Sequence, residues 1–264
     1  MLSSVFLKTL RDNRRSWLIW SVSLGLLIGF FMAFYPAVAG EESFNELTEN
    51  LPESLNALFG AQDIASPVGY LDSQFFGYLG PLLLLIFAVS RGADAIAGEE
   101  QRHTFDLLMA NPISRTQVVL HKFAAISVLT LALGIVCFLV MWALADPVDM
   151  DIGAAELGAA MLGVSLLSLL FAGIALAISC MISNKALSAG VTAGLATISY
   201  FVSSLAPVVE GLSPLEKATP FYLYDGSNPL ANGFSLSHSA LFVVLTALLA
   251  AIAAWGLNRR DLVA

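Results

Sequence analysis

Long apolar runs alternate with short polar stretches along this chain, and each run is long enough to cross a lipid bilayer. A helix of about 20 apolar residues spans a hydrocarbon core roughly 30 Å thick. Six runs fit this length, at about 17–38, 73–93, 118–144, 154–182, 186–206 and 239–257. The pattern therefore predicts an all-α membrane protein, built as one transmembrane domain of six helices over residues 1–264.

The polar stretches outside these runs predict additional small elements. Over residues 1–16, apolar positions recur at helical spacing opposite basic ones, which is typical of an amphipathic helix lying in the membrane interface. The acidic loop 39–72 has apolar residues every three or four positions, which predicts two short helices broken near Pro52. The loop 207–237 is rich in Pro and Gly turn signals. We expect the loops 39–72 and 207–237 to lie on the extracytoplasmic side and to form small helices.

Composition and charge support a membrane protein and give it an orientation. Hydrophobic residues make up 58% of the 264 residues and charged ones 12%, against roughly 45–50% and 25% in soluble proteins. In the six-span topology, the face with both termini holds 11 of the 12 Lys and Arg residues, and the opposite face holds Lys217. Basic residues concentrate on the cytoplasmic side of membrane proteins. We therefore expect both termini in the cytoplasm. Most of the acidic residues, which give the chain its net charge of −8, are then expected on the outer face.

One polar segment, residues 98–115, interrupts the apolar runs at the predicted cytoplasmic face. Its sequence predicts a compact polar helix over 98–110. Pro112 ends that helix, because its ring removes a backbone donor and disfavours the α conformation of the residue before it. Ser114 and Gln117 have the spacing of a capping box, so a new helix is expected to begin at once. A polar helix held between two spans is a candidate docking surface.

This segment resembles a known family. A glutamate pair is followed by a Thr-hydrophobic-acid-Leu-Leu step from Thr104, and then by Pro-hydrophobic-Ser-Arg from Pro112. The order resembles the cytosolic coupling segment of ABC-2 type permeases, the membrane subunits of ATP-driven ABC transporters. That family commonly has glycine where His103 stands and glutamate where Asp106 stands, and we expect neither departure to change the helix. The remaining runs and loops are similar to the same family over nearly the whole chain.

The resemblance implies a transporter of two permease subunits and two cytosolic ATPase subunits, in the cytoplasmic membrane of a prokaryotic cell, moving its substrate outward. The chain lacks a G-x-x-x-x-G-K-[ST] loop, so we expect no enzymatic activity of its own and expect the partner ATPase to bind ATP and Mg²⁺. We also expect contact with membrane lipids, and none with nucleic acid. The resemblance implies these residues as ATPase contacts: Glu99, Glu100, Arg102, Thr104, Asp106, Leu107, Leu108, Met109, Pro112 and Arg115.

Several alternatives stay open. The 98–115 segment could be a plain linker helix with a solvated charged face. The chain could be an ABC-like membrane scaffold, or an assembly or signalling component, without a transported substrate. The second permease subunit could be another copy or a related chain. Two small-residue steps, Gly25-x-x-x-Gly29 and Gly190-x-x-x-Gly194, favour close helix packing, either within the subunit or against a second one.

Overall fold

The computed structural model describes residues 4–39, 66–110, 112–226 and 228–260. All regular structure in these ranges is helical, and six helices are long and apolar enough to cross a membrane. They are α1 (Val5–Val38), α2 (Pro67–Gln101), α3 (Arg115–Ala145), α4 (Ala154–Met181), α5 (Lys185–Leu205) and α6 (Leu236–Arg259). The predicted all-α membrane fold is confirmed.

The helices differ from the predicted spans mainly at the start of the chain. The interfacial helix expected over 1–16 is not a separate element, because α1 runs without a break from Val5 to Val38. The basic stretch contains neither Pro nor Gly, so nothing in it interrupts the backbone hydrogen bonds. Ser4 caps the start of this helix, its hydroxyl accepting the backbone N–H of Leu7 at 3.3 Å.

Helix α2 is longer than its predicted span and is not uniform. Its α-helical parts are joined by two π-helical turns, Asp72–Phe76 and Asp94–Gly98. At the second turn, the Ser179 hydroxyl of α4 donates to the Ala93 carbonyl at 3.0 Å and accepts from the Ala97 N–H at 2.9 Å. The hydroxyl thus satisfies backbone groups that the wider turn leaves open.

Helix α4 is the centre of the bundle and packs against α2, α3, α5 and α6. Its contact with α2 is closest at Gly92, where a Cβ atom would meet the Ala172 carbonyl oxygen and lie 3.1 Å from the Ala175 Cβ. Helix α1 packs on α3 at the outside of the bundle. There, Cβ atoms at Gly25 and Gly29 would lie in ordinary contact with side chains of α3. The first small-residue step therefore packs within the subunit.

Helix α5 lies at the edge of the bundle and leaves an apolar stripe uncovered. Cβ atoms at Gly190 and Gly194 would meet no atom of the described chain within 4 Å, so the second small-residue step does not pack within this subunit. The exposed stripe beside it consists of Leu187, Val191, Leu195, Ile198 and Phe201.

The six helices place both ends of the chain at one end of the bundle, which we call the termini face. It holds the start of α1, the end of α6 and the 98–115 segment. At the opposite face, the described part of the predicted loop 207–237 contains a 3-10 turn, Glu210–Leu212, and three short α-helices, Ser213–Glu216, Pro220–Asp225 and Pro229–Asn232. The helix pair expected in 39–72, broken near Pro52, lies outside the described residues, which resume at Ser66.

Candidate functional site

The 98–115 segment forms a bend rather than the single helix predicted over 98–110. Helix α2 ends at Gln101, and a second short helix spans Phe105–Met109. Between them His103 adopts φ 55°, in the left-handed region. The Thr104 N–H reaches the Glu99 carbonyl at 2.9 Å, and the His103 N–H reaches the Glu100 carbonyl at 2.9 Å. This is a Schellman motif, which ends a helix and usually has glycine at the left-handed position.

The prediction of an unbroken helix was therefore wrong, and His103 is the reason. We expected histidine in place of the usual glycine to leave the helix unchanged. Instead His103 takes the glycine conformation, at a cost of about 1–2 kcal/mol for a residue with a Cβ atom. Further along, Ser114 and Gln117 form the predicted capping box, with both reciprocal bonds present, and α3 begins at Arg115 as expected.

The short helix after the bend has one buried and one exposed face. Phe105 and Leu108 are buried in an apolar cluster that includes Val118 of α3. Leu107 is 71% exposed, and Asp106 beside it is also exposed. Of the other predicted contact residues, Arg102 and Pro112 are exposed, and Thr104 and Met109 are half-buried.

The Glu99 carboxylate joins three helices beneath the bend. It lies 2.8 Å from the Lys122 ammonium of α3 and 3.4 Å from the Lys8 ammonium of α1. The Thr104 hydroxyl also donates to it. The side chains of Glu99 and Lys122 are only 10% and 5% exposed, so this is a buried ion pair with a second lysine at its edge.

The C-terminal end of α6 and the residue after it bond to the same segment. Glu100 forms an ion pair with Arg260, whose guanidinium also donates to the Cys180 carbonyl of α4 at 3.1 Å. Arg115 donates to the carbonyls of Leu257 at 3.1 Å and Arg260 at 2.8 Å. The predicted contact residues Glu100 and Arg115 thus hold the C-terminal end of α6 against the segment.

A third carboxylate, Asp94, lies in the second π-helical turn of α2. Arg102 donates to both of its oxygens, at 2.9 and 3.2 Å, and the Lys185 ammonium of α5 is 2.7 Å away. The hydrogen bond with Asp94 raises the pKa of Arg102. Arg102 therefore bridges the bend back to α2, although about half of its side chain remains exposed.

The structure thus divides the predicted contact residues into two groups. Glu99, Glu100 and Arg115 are engaged within the chain, and Leu108 is buried. The exposed residues among the predicted contacts are Arg102, which also pairs with Asp94, and Asp106, Leu107 and Pro112, while Thr104 and Met109 are half-buried. Sequence analysis did not identify the residues that anchor the segment, which are Lys8 and Lys122 on other helices, Arg260 directly after α6 and Asp94 within α2.

A comparison with protein families decides what kind of protein carries this arrangement. The model of the family described as ABC-2 family transporter protein matches residues 3–262. The chain belongs to this family. This ABC-2 protein is therefore a permease component of an ABC transporter, a multi-pass membrane subunit whose family works with an ABC ATPase. A search of curated proteins found no match.

An apolar cavity of about 360 Å³ lies between α2 and α5 of this ABC-2 subunit. Its lining includes Leu82, Leu85 and Val89 of α2, and Ala196 and Tyr200 of α5. It adjoins α5, whose exposed apolar stripe no other part of the described chain covers. Such a cavity fits an apolar group better than an ion.

Proposed function

We propose that this chain is the permease subunit of an ATP-driven exporter in the cytoplasmic membrane of a prokaryote. In this proposal the termini face is cytoplasmic, and a separate ATPase, which binds ATP and Mg²⁺, docks on the 98–115 segment. The observation that carries the proposal is the short helix Phe105–Met109, which exposes Leu107 while Phe105 and Leu108 anchor it in the core. An exposed leucine on an anchored helix is suited to enter an apolar groove of a partner.

The two groups of residues have different roles in this proposal. Arg102, Asp106, Leu107 and Pro112 form the contact surface, because they are exposed. Glu99, Glu100 and Arg115 keep that surface in a fixed position on α1, α3 and α6. A docking surface needs such support, because a loose one would absorb the partner's motion instead of transmitting it.

The ion pairs also provide a route for coupling. When ATP closes the ATPase dimer, the segment moves with it. The backbone transmits this motion to α2 and α3. The ion pairs of Glu99 transmit it to α1 and α3, and that of Glu100 transmits it to α6. ATP then favours one arrangement of the spans over the other, as a population shift requires. We further propose that a second permease subunit, identical or related, covers the exposed stripe of α5, so that the apolar cavity beside it lies on the transport path.

Affinity purification from the native membrane tests the proposal. The tagged chain should retain an ATPase with a phosphate-binding loop, and Leu107→Asp should remove it without lowering the unfolding temperature of the bundle. Leu215→Asp is the matched control, since Leu215 is 55% exposed at the opposite face. Leu108 is unsuitable for this test, because it is 8% exposed and its replacement would disrupt the core.

Two outcomes would contradict the proposal. Undiminished ATPase retention by Leu107→Asp would remove the docking surface assigned to the short helix. Reproducible absence of any ATPase under mild detergent would favour the alternative, a membrane scaffold or assembly component without its own substrate.

A further inference from the structure

A polar cavity of about 450 Å³ lies at the termini face between α1, α2 and α3. Four basic residues line it: Lys8 of α1, Arg91 and Arg102 of α2 and its bend, and Lys122 of α3. Three acidic residues line it as well. The proposed docking surface shares only Arg102 with this cavity, because Asp106, Leu107 and Pro112 do not line it.

The ion pairs around the cavity leave an excess of positive charge. Glu99 has two cationic partners, Lys8 and Lys122. Asp94 also has two, Arg102 and Lys185. Each carboxylate therefore leaves one positive charge uncompensated.

Arg91 adds a further positive charge to the cavity wall. Its guanidinium contacts neutral groups: the Asn13 amide oxygen at 2.6 Å, the Ser90 hydroxyl at 3.3 Å and the Phe87 ring. Within the described ranges it forms no ion pair, and neither does Asp12, the third acid. The four cations that line the cavity thus face three carboxylates, and Lys185, outside the lining, adds a fifth positive charge at Asp94. A half-buried guanidinium without an ion-pair partner among the described residues favours an anionic ligand, because a charge in such a place is costly unless it is paired.

The position of the cavity indicates where that anion comes from. Trp17 and Trp20 follow one to two turns after Asn13 in α1, and tryptophan is enriched at the level of lipid headgroups. Beyond that level, α1 exposes Val22, Leu26 and Phe30, which are 60%, 71% and 57% exposed. A lipid with its headgroup in the cavity could lay its acyl chains along this exposed face.

We propose that this cavity binds the phosphate group of an anionic phospholipid from the leaflet at the termini face. Arg91 is the principal cation for the phosphate, and Lys8, with its side chain 39% exposed, contributes at the opening. The bound lipid would join α1 to α2 beside the Glu99 ion pairs, so that lipid composition affects the support of the 98–115 segment. This site would exist whether or not an ATPase docks on that segment.

Native mass spectrometry of the full chain tests the site. The chain would be purified in mild detergent and mixed with equal amounts of phosphatidylglycerol and phosphatidylcholine. We expect selective retention of one phosphatidylglycerol per chain. Arg91→Gln should weaken it about tenfold, the effect of losing one hydrogen bond to a charged group. Arg14→Gln, which removes a charge from an exposed position on α1 that does not line the cavity, should leave retention unchanged.

Additional variants and a soluble ligand distinguish a specific lipid site from unfolding, from general attraction to basic residues and from phosphate binding. Lys8→Gln should also weaken retention, and because Lys8 is partly exposed it tests the site even if Arg91→Gln unfolds. Arg91→Lys should preserve most of the binding. Equal losses in Arg91→Gln and Arg14→Gln would overturn the proposal, since they would indicate general attraction to a basic surface. Displacement of the lipid by millimolar inorganic phosphate, with the same dependence on Arg91, would overturn the lipid assignment in favour of a soluble phosphate.

Discussion

Replacing Glu99 should destabilise the bundle more than replacing its partner Lys122. In Glu99→Gln, Lys122 keeps a positive charge on a side chain that is 5% exposed, and it loses its one ion-pair partner within the described residues. Breaking a buried ion pair by removing one member costs about 3–5 kcal/mol. We expect the lower end, about 3 kcal/mol, because the amide oxygen of glutamine still accepts a hydrogen bond.

The opposite replacement is milder because of Lys8. In Lys122→Met, the Glu99 carboxylate keeps the Lys8 ammonium at 3.4 Å and the Thr104 hydroxyl. Methionine fills a similar volume, so the expected loss is about 1 kcal/mol. The double variant buries no unpaired charge at either position, and it should be more stable than Glu99→Gln alone.

Thermal unfolding in nanodiscs of fixed lipid composition, followed by tryptophan fluorescence, measures these differences. At about 2–4 °C per kcal/mol for a chain of this size, Glu99→Gln should lower the midpoint by about 6–12 °C and Lys122→Met by about 2–4 °C. Lys8→Met, which removes the partly exposed partner, should shift it by less than about 3 °C. A double variant as unstable as the sum of the single changes would refute the reasoning, because it would show that Glu99 and Lys122 act independently.

Two further predictions concern the backbone. His103→Gly should raise or preserve the unfolding midpoint, because φ 55° suits glycine. His103→Val should lower the free energy of unfolding by about 1–2 kcal/mol, because this φ strains a β-branched residue. Equal midpoints for the two variants would contradict the left-handed conformation. Gly92→Ala should cost about 1–3 kcal/mol, because its Cβ would meet the Ala172 carbonyl, whereas Gly194→Ala should leave the isolated subunit unchanged. A fall in the Gly194→Ala midpoint only when subunits associate would locate the subunit contact on α5.

The local features of this fold could be predicted because their signals are local. The six spans follow from the length of the apolar runs, and the start of α3 follows from Ser114 and Gln117 three positions apart. The second short helix ends at Met109, before Pro112, although the helix that Pro112 was expected to end is already broken at His103. Each of these signals depends on residues within one or two helical turns, so no knowledge of the packing was needed.

The bend at His103 also had a local signal, but it was interpreted incorrectly. Glycine is common at this position in the family, and glycine at a fixed place in a polar stretch often indicates positive φ. The sequence analysis instead expected the histidine to leave the helix unchanged. It retains the glycine conformation instead, because the Schellman bonds to the carbonyls of Glu99 and Glu100 require it.

The internal ion pairs could not be predicted, because their members are far apart in the sequence. Lys122 follows Glu99 by 23 positions, and Lys8 precedes it by 91. In the sequence, both lysines could be interpreted only as positive charges near the ends of predicted spans. Which of them meets a carboxylate depends on how α1, α2 and α3 pack, and helical periodicity alone does not determine that packing. For this reason Glu99, Glu100 and Arg115 were predicted to contact the ATPase, although they form bonds within the chain.

Three nearby carboxylates at the end of α2 pair with cations on or directly after other helices, and this constrains how such a chain can change during evolution. A neutral residue at position 99 leaves Lys122 buried without its counterion, so the viable order of substitution begins at the lysine, where Lys8 still serves the carboxylate. Among relatives, positions 99 and 122 should therefore vary together, and so should positions 100 and 260. Leu107 is 71% exposed and apolar, so its variation should follow the sequence of the docked protein instead.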